Sequence, residues 1–214
     1  MTNVLISGVY PQREGEIERI DVVNEQEIAT PSVCPLHAPI SSDPPLKYTP
    51  THEDESMREA LKLLHPTSDD FRTADYATSF NWPKVTESFL KHLQKPTELP
   101  PRDDYSWYAV VFRSQRRADC KDADLFEADR QAYEEAFSAT NGALLVYWYT
   151  GLDENHNCLA TCVWSARDIA RSVNSLPRHR EAAKLSAHVY VSYHIDRYRI
   201  EWVPDQQTLH VSPW

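Results

Sequence analysis

Twelve of the fifteen prolines in this chain fall within its first 104 residues, Pro44-Pro45 and Pro100-Pro101 among them. Each proline removes a backbone donor and fixes φ, so a segment punctuated this often cannot be rich in sheet. Residues 1–104 therefore read as an extension, and regular sheet is expected only in the remainder. The extension begins as a meandering arm over residues 1–50, with one strand expected at 4–9. Two short helices follow. Residues 54–64 place Met57, Leu61 and Leu64 on one face at i, i+4, i+7, and residues 84–94, led in by Pro83, do the same with Val85, Phe89 and Leu93. Both faces read as packing against the main domain.

After Pro101 the pattern changes. Residues 106–113 (SWYAVVFR) form a dense aromatic and β-branched run, as a buried strand does. Residues 122–139 set Leu125, Asp129, Ala132, Tyr133, Ala136 and Phe137 at helical spacing, with Asp122 or Asp124 as cap and Asn141-Gly142 as stop. Strands are then expected at 143–149 and 158–164. The short polar turn between them favours an antiparallel hairpin. Residues 165–173 read as helix or turn. Pro177 opens a helix over 178–190 with Ala182, Leu185, Ser186 and Val189 as its buried stripe, and 193–203 alternates as a half-exposed strand.

The order is β, α, β, β, α, β, a split βαβ arrangement. The predicted fold is α+β, a ferredoxin-like sheet of the dimeric α+β barrel type over residues 105–205, with the Pro-rich, partly helical extension before it and a tail at 206–214. Right-handed crossovers put both helices on one sheet face. The other face must be covered, either by a second copy in a homodimer or by the extension.

Composition narrows the function classes. With 41% apolar residues, 25% charged and a mean hydropathy of −0.58, the chain reads as globular, and no apolar run approaches the roughly 18 residues of a membrane span. The first twelve residues lack the pattern of a signal peptide, so a cytoplasmic location is expected. The formal charge of −10 argues against nucleic acid and anionic membrane as partners. Of this, −8 sits in residues 1–104 and −2 in the rest. Cys34, Cys120, Cys158 and Cys162 fit no disulfide framework and read as reduced.

Strand parity sorts the side chains. One face collects Cys158, Ala160, Cys162 and Trp164, against Leu159, Thr161 and Val163 on the other. The preceding strand splits Leu145, Tyr147 and Tyr149 from Leu144, Val146 and Trp148. The aliphatic sets suit packing under helices. That leaves Tyr147, Tyr149, Cys162 and Trp164 as cavity walls, joined by Arg113 or Tyr108 from the first strand and Tyr193 from the last. Plain core packing of Tyr147-Trp148-Tyr149 is the alternative.

The segment Cys158–Ala182 resembles the strand-to-helix segment of the antibiotic-biosynthesis-monooxygenase-like branch of the dimeric α+β barrel superfamily. The matching positions are Trp164, followed by Ser165-Ala166, and His179, followed by Ala182. Residues 105–205 are also similar to a group of uncharacterised fungal and bacterial proteins sharing the YWY, LATC-W and P-x-H-x-x-A elements. The resemblance implies that Trp164 and His179 line a pocket. It also implies a function among cofactor-free monooxygenases, haem-degrading enzymes, cyclases and isomerases. The spacing from Trp164 to His179 exceeds that of compact haem-degrading members, so haem ligation by His179 is not implied.

His179 can serve as a base or donor near neutral pH, or lie exposed between Arg178 and Arg180. Cys158 and Cys162 stand about 13 Å apart along one strand, too far to share a metal unaided. No HExxH, Gly-rich phosphate loop or G-x-S-x-G elbow is present. No cofactor is therefore expected. A pocket of Tyr, Trp and aliphatic groups suits a hydrophobic substrate, polycyclic ones included. The expected function is a cofactor-independent cyclase or isomerase of natural-product metabolism, Diels-Alderases included, with Tyr149, Arg113 or His179 polarising a conjugated carbonyl. A cofactor-free monooxygenase of an electron-rich phenol and a non-catalytic binding or stress-response protein are the alternatives.

Overall fold

The aromatic run after residue 105 forms β1 (Ser106–Arg116), three residues longer than its sequence pattern suggests. This computed structural model describes residues 44–101, 104–120 and 122–214; the strand expected at 4–9 lies outside them. The caps expected at Asp122 or Asp124 likewise fall on side chains outside the described set. Among the described residues two helices precede β1, α1 (His52–Leu61) and α2 (Trp82–Leu93). After it come α3 (Asp122–Ala139), β2 (Leu144–Tyr149), β3 (Asn157–Trp164), α4 (Arg167–Ser172), α5 (Pro177–Val189), β4 (Tyr190–Val203) and β5 (Thr208–Pro213). The strands form one sheet in the order β2-β3-β1-β4-β5, every neighbour antiparallel. The first four strands have the ferredoxin-like arrangement that the βαββαβ order predicts.

Residues 206–214, expected as a tail, instead supply β5. Gln207, at φ 48°, makes the left-handed turn that returns the chain along β4, and Leu209 is buried. The Leu209 backbone N–H donates to the Thr86 hydroxyl at 3.2 Å, tying β5 to α2.

Both sheet faces are covered by this chain. Met57 and Leu61 of α1 and Val85 and Phe89 of α2 pack with Trp107, Val111, Trp148, Leu159 and Ile200 from the sheet. Phe89 sits edge-on to Trp107, ring centroids 5.6 Å apart. The loop between the two helices adds Tyr76, whose hydroxyl accepts from Thr161 Oγ1 at 3.2 Å deep in this core. Of the two ways to cover the open face, the extension supplies the cover seen here. The allocation of faces, however, is the reverse of that expected. The aliphatic set lies under α1 and α2, whereas the tyrosine face lies under α3 and α5. The ferredoxin helices present alanines there, and small helix residues match large sheet residues as well as the opposite pairing would.

A local reason for α1 starting where it does is its cap. The Thr51 hydroxyl accepts from Asp54 N at 3.3 Å and donates to Asp54 Oδ2 at 2.5 Å, while Asp54 Oδ1 accepts from the Trp107 indole at 2.8 Å. One carboxylate thus serves the helix start and the strand it covers. Asp54→Ala removes the carboxylate that accepts from a buried indole N–H and loosens the cap, and is expected to lower stability by about 2 kcal/mol in urea unfolding. A change under about 0.5 kcal/mol, the range of ordinary surface substitutions, would contradict this coupling.

The free edge of β2 is closed by α1. Arg58 donates to the carbonyls of Gly142 at 2.5 Å, Leu144 at 3.0 Å and Leu145 at 3.3 Å. Unpaired edge carbonyls are thereby satisfied within the molecule.

Candidate functional site

Between the sheet and the α3–α5 pair lies a cavity of about 140 Å³. Its existence follows from side-chain size. Helix α3 contributes Ala132 and Ala136, α5 contributes Ala182 and Ala183, and the floor on β3 is Cys158, Ala160 and Cys162. The walls are aromatic. Tyr147, Tyr149, Trp164, Cys162, His179 and Tyr193, all candidates from sequence, line it.

Two β-bulges shape these walls. Leu145 is skipped in the β2–β3 register, so Leu144 opposite Trp164 shares a face with Tyr147 and Tyr149. Simple parity put Leu145 there and Leu144 behind; the extra residue inverts both, and Leu145 joins the core under α1. On β4, Val191 is skipped between Ser192 and Tyr190. Tyr190 and Tyr193, three residues apart, consequently face the cavity together with rings stacked at 5.4 Å.

The register also gives the cavity a direction. Trp164 and Leu144 mark one end. Cys158 pairs with Ser114, Ser114 with Tyr193 and Arg116 with Tyr190 towards the other. At that second end stands Asp129 of α3, whose Oδ2 accepts from the Tyr147 hydroxyl at 3.3 Å. Loss of hydration pushes the Asp129 carboxyl up to about 6, against the smaller opposing pulls of the Tyr147 hydrogen bond and the Arg116 charge. The Arg116 guanidinium lies over the Phe126 ring at 5.0 Å. Burial raises the Tyr149, Tyr190 and Cys158 pKa values and pushes the Cys162 thiol up to about 12. Cys162 Sγ accepts from the Trp164 indole at 3.1 Å, which fixes that ring against the wall.

His179 belongs to the opposite end. Leu176 at the start of α5 has no side-chain oxygen to cap it, and Glu135 of α3 acts in its place. Its Oε2 accepts from the backbone of Arg178 at 2.8 Å and of His179 at 3.4 Å. Glu135 is six residues beyond Asp129, about 9 Å along the helix axis, so the histidine and the aspartate do not form one cluster. Burial lowers the His179 pKa, favouring neutral imidazole. The residues between Trp164 and His179 that lengthen this connection form α4 and a short turn.

Two sequence candidates leave the site. Arg113 points to the opposite sheet face, where Nε donates to Asp196 Oδ2 at 2.9 Å. Its Nη1 donates to the carbonyls of Phe71, at 3.1 Å, and Arg72, and Nη2 to that of Ala74 at 2.6 Å. Strand parity requires this, since Arg113 shares its face with Val111 and Ala109. Tyr108 is on the cavity face but beyond the cavity, buried edge-on against Trp214 at 5.1 Å.

Sequence reasoning passed over Asp129, Arg116 and Tyr190. The signal for Asp129 was present, a carboxylate inside an otherwise apolar helical stripe. Arg116 and Tyr190 fell outside the expected strand limits. Among the described residues, no group of three or more His, Cys, Asp or Glu side chains gathers as metal ligands would, and no helix is long and apolar enough to cross a membrane.

Comparison with known proteins places this arrangement. The profile of a family described as PB2B2.08-like matches residues 42–213, α1 through β5. The chain belongs to that family. It is 29% identical over 133 residues to the UPF0643 protein PB2B2.08 of Schizosaccharomyces pombe, covering 59% of this chain and 58% of that relative's length. Among solved structures it is similar to a dimeric protein of unknown function and ferredoxin-like fold from Bacteroides fragilis. That match has 17% identity and a TM-score of 0.32, and covers 43% of this chain and 94% of the other. The family match takes in both the extension helices and the sheet, the two parts that share the core under α1 and α2.

Proposed function

We propose that this chain is a cofactor-independent enzyme of small-molecule metabolism, a cyclase or isomerase that moves a proton within an apolar cavity. The observation that carries the reading is Asp129, a carboxyl poised near 6 on the cavity wall and held by Tyr147. A group with that pKa exchanges protons readily at neutral pH. Tyr149 and Tyr190 supply further hydroxyls, and Arg116 supplies positive charge where an enolate or phenolate would form. The likeness of Cys158–Ala182 to the antibiotic-biosynthesis-monooxygenase-like branch agrees with a pocket at this place, and a cytoplasmic setting and natural-product substrates remain part of the proposal. A second reading rests on the same carboxylate, since deprotonating an electron-rich phenol is also the first step of cofactor-free oxygenation.

The test is to incubate the protein, and Asp129→Asn beside it, with organic extracts of fungal cultures and to follow all masses by liquid chromatography and mass spectrometry. Conversion of one compound into another of equal mass, absent with the variant, is the expected result. A product heavier by oxygen, with oxygen consumed, would move the assignment to the monooxygenase. A compound retained but never altered would leave a binding protein.

A further inference from the structure

The size and direction of the cavity say more about its ligand than the reaction class does. An engineered apolar cavity of about 150 Å³ in another protein accommodates benzene. At about 140 Å³ this one has room within its walls for one ring with small substituents, so a further ring of the polycyclic compounds that a Tyr- and Trp-lined pocket suggests from sequence would extend towards solvent. Its two ends differ in kind. Trp164, Leu144 and Ala136 give the end that also holds the neutral His179 an apolar surface for a ring, while the other carries the charged pair Asp129 and Arg116 with Tyr190.

Asp129 has spare capacity. A carboxylate accepts about four hydrogen bonds, and among the described residues Asp129 accepts one from a side chain, at a long 3.3 Å. A group on the cavity wall with unused acceptor capacity calls for a donor on the ligand. The positive charge of Arg116 acts on the same carboxyl, and it disfavours a cationic amine there while favouring a hydroxyl whose oxygen becomes negative as the proton leaves.

We infer that the cavity binds a single-ring compound bearing an acidic hydroxyl, a phenol or cyclic enol. Its ring lies towards Trp164 and its hydroxyl donates to Asp129. This rests on Asp129 being the working group of the cavity, as in the proposed function, but it requires no turnover.

Calorimetric titration of the whole protein with phenol, its methyl ether anisole and the two-ring naphthol tests it. Phenol is expected to bind about tenfold or more tighter than anisole, the scale of one hydrogen bond to a charged group. Naphthol is expected to bind no tighter than phenol. In Asp129→Asn, which keeps the shape and removes the charge, the preference for phenol shrinks while anisole affinity is unchanged. Equal binding of phenol and anisole to the unaltered protein overturns the hydroxyl assignment. Tighter naphthol binding overturns the one-ring limit, and an undiminished preference in the variant overturns the role of Asp129. Because these titrations read affinity alone, the proton-transfer proposal can fail in product analysis while the ligand class stands, or the reverse.

Discussion

Asp129→Asn is expected to lower conversion of the natural substrate by about 10²–10⁴-fold, the usual contribution of a positioned acid or base, and to make the free protein more stable at alkaline pH. The second effect follows from linkage. The folded carboxyl titrates at about 6, whereas in an unfolded chain it does so near about 3.9. Between these values the folded state binds the extra proton, so stability contributed at this site falls as pH rises through the window and stays low above it. Asparagine carries no such cost. Allowing for partial solvent screening, the variant gains about 1–2 kcal/mol over the parent at about pH 8 and nearly nothing at about pH 4. Urea unfolding at the two pH values reads this directly. A difference independent of pH would mean that Asp129 titrates as an ordinary surface carboxylate, and the proton-transfer role would lose its basis.

For Arg113→Ala the expected outcome is the opposite, a loss of about 3–4 kcal/mol of stability with turnover per folded molecule unchanged. The guanidinium is only 15% exposed and joins Asp196 on β4 to three carbonyls in the loop between α1 and α2. Truncation leaves those carbonyls and a partly buried carboxylate without their donor, the kind of loss that exceeds the value of the hydrogen bonds themselves. Lysine restores charge but not the fork, so Arg113→Lys should recover less than half of the loss. Urea unfolding gives the magnitude, and limited proteolysis should show cleavage appearing first near residues 71–74. If Arg113→Lys were fully folded yet inactive, the arginine would belong to the chemistry after all.

How far the sequence carries depends on what each residue's position is decided by. The four ferredoxin strands and four of the helices were legible because their apolar periods are long and bounded by Pro, Gly or Asn. Which face each residue serves was less so. Parity alone correctly grouped Cys158, Cys162 and Trp164, and failed at Leu144 and Leu145, where an added residue slips the register without leaving a mark in composition. Arg113, opposite in parity to Tyr108, was assigned to the cavity against parity and for another reason. An arginine on a strand reads as a pocket donor until the three loop carbonyls that accept from its Nη1 and Nη2 are known, and those are some 40 residues earlier in sequence. Asp129 was visible as a polar residue in a buried stripe, yet its significance comes from Tyr147 across the cavity. Strand β5 carried no usable period, being six residues long and ending in Ser212-Pro213.

The tie between α2 and β5 has a consequence for synthesis. Met57, Leu61 and Phe89 emerge from the ribosome well before the strands they cover, and Leu209, which meets Thr86 of α2, is made more than a hundred residues later. At ordinary elongation rates that interval is on the order of ten seconds. During it the apolar faces of both leading helices gain their native partners strand by strand, Trp107 of β1 first and Leu209 of β5 last, so the growing chain must keep whatever is still uncovered from other nascent chains until its own last strand arrives.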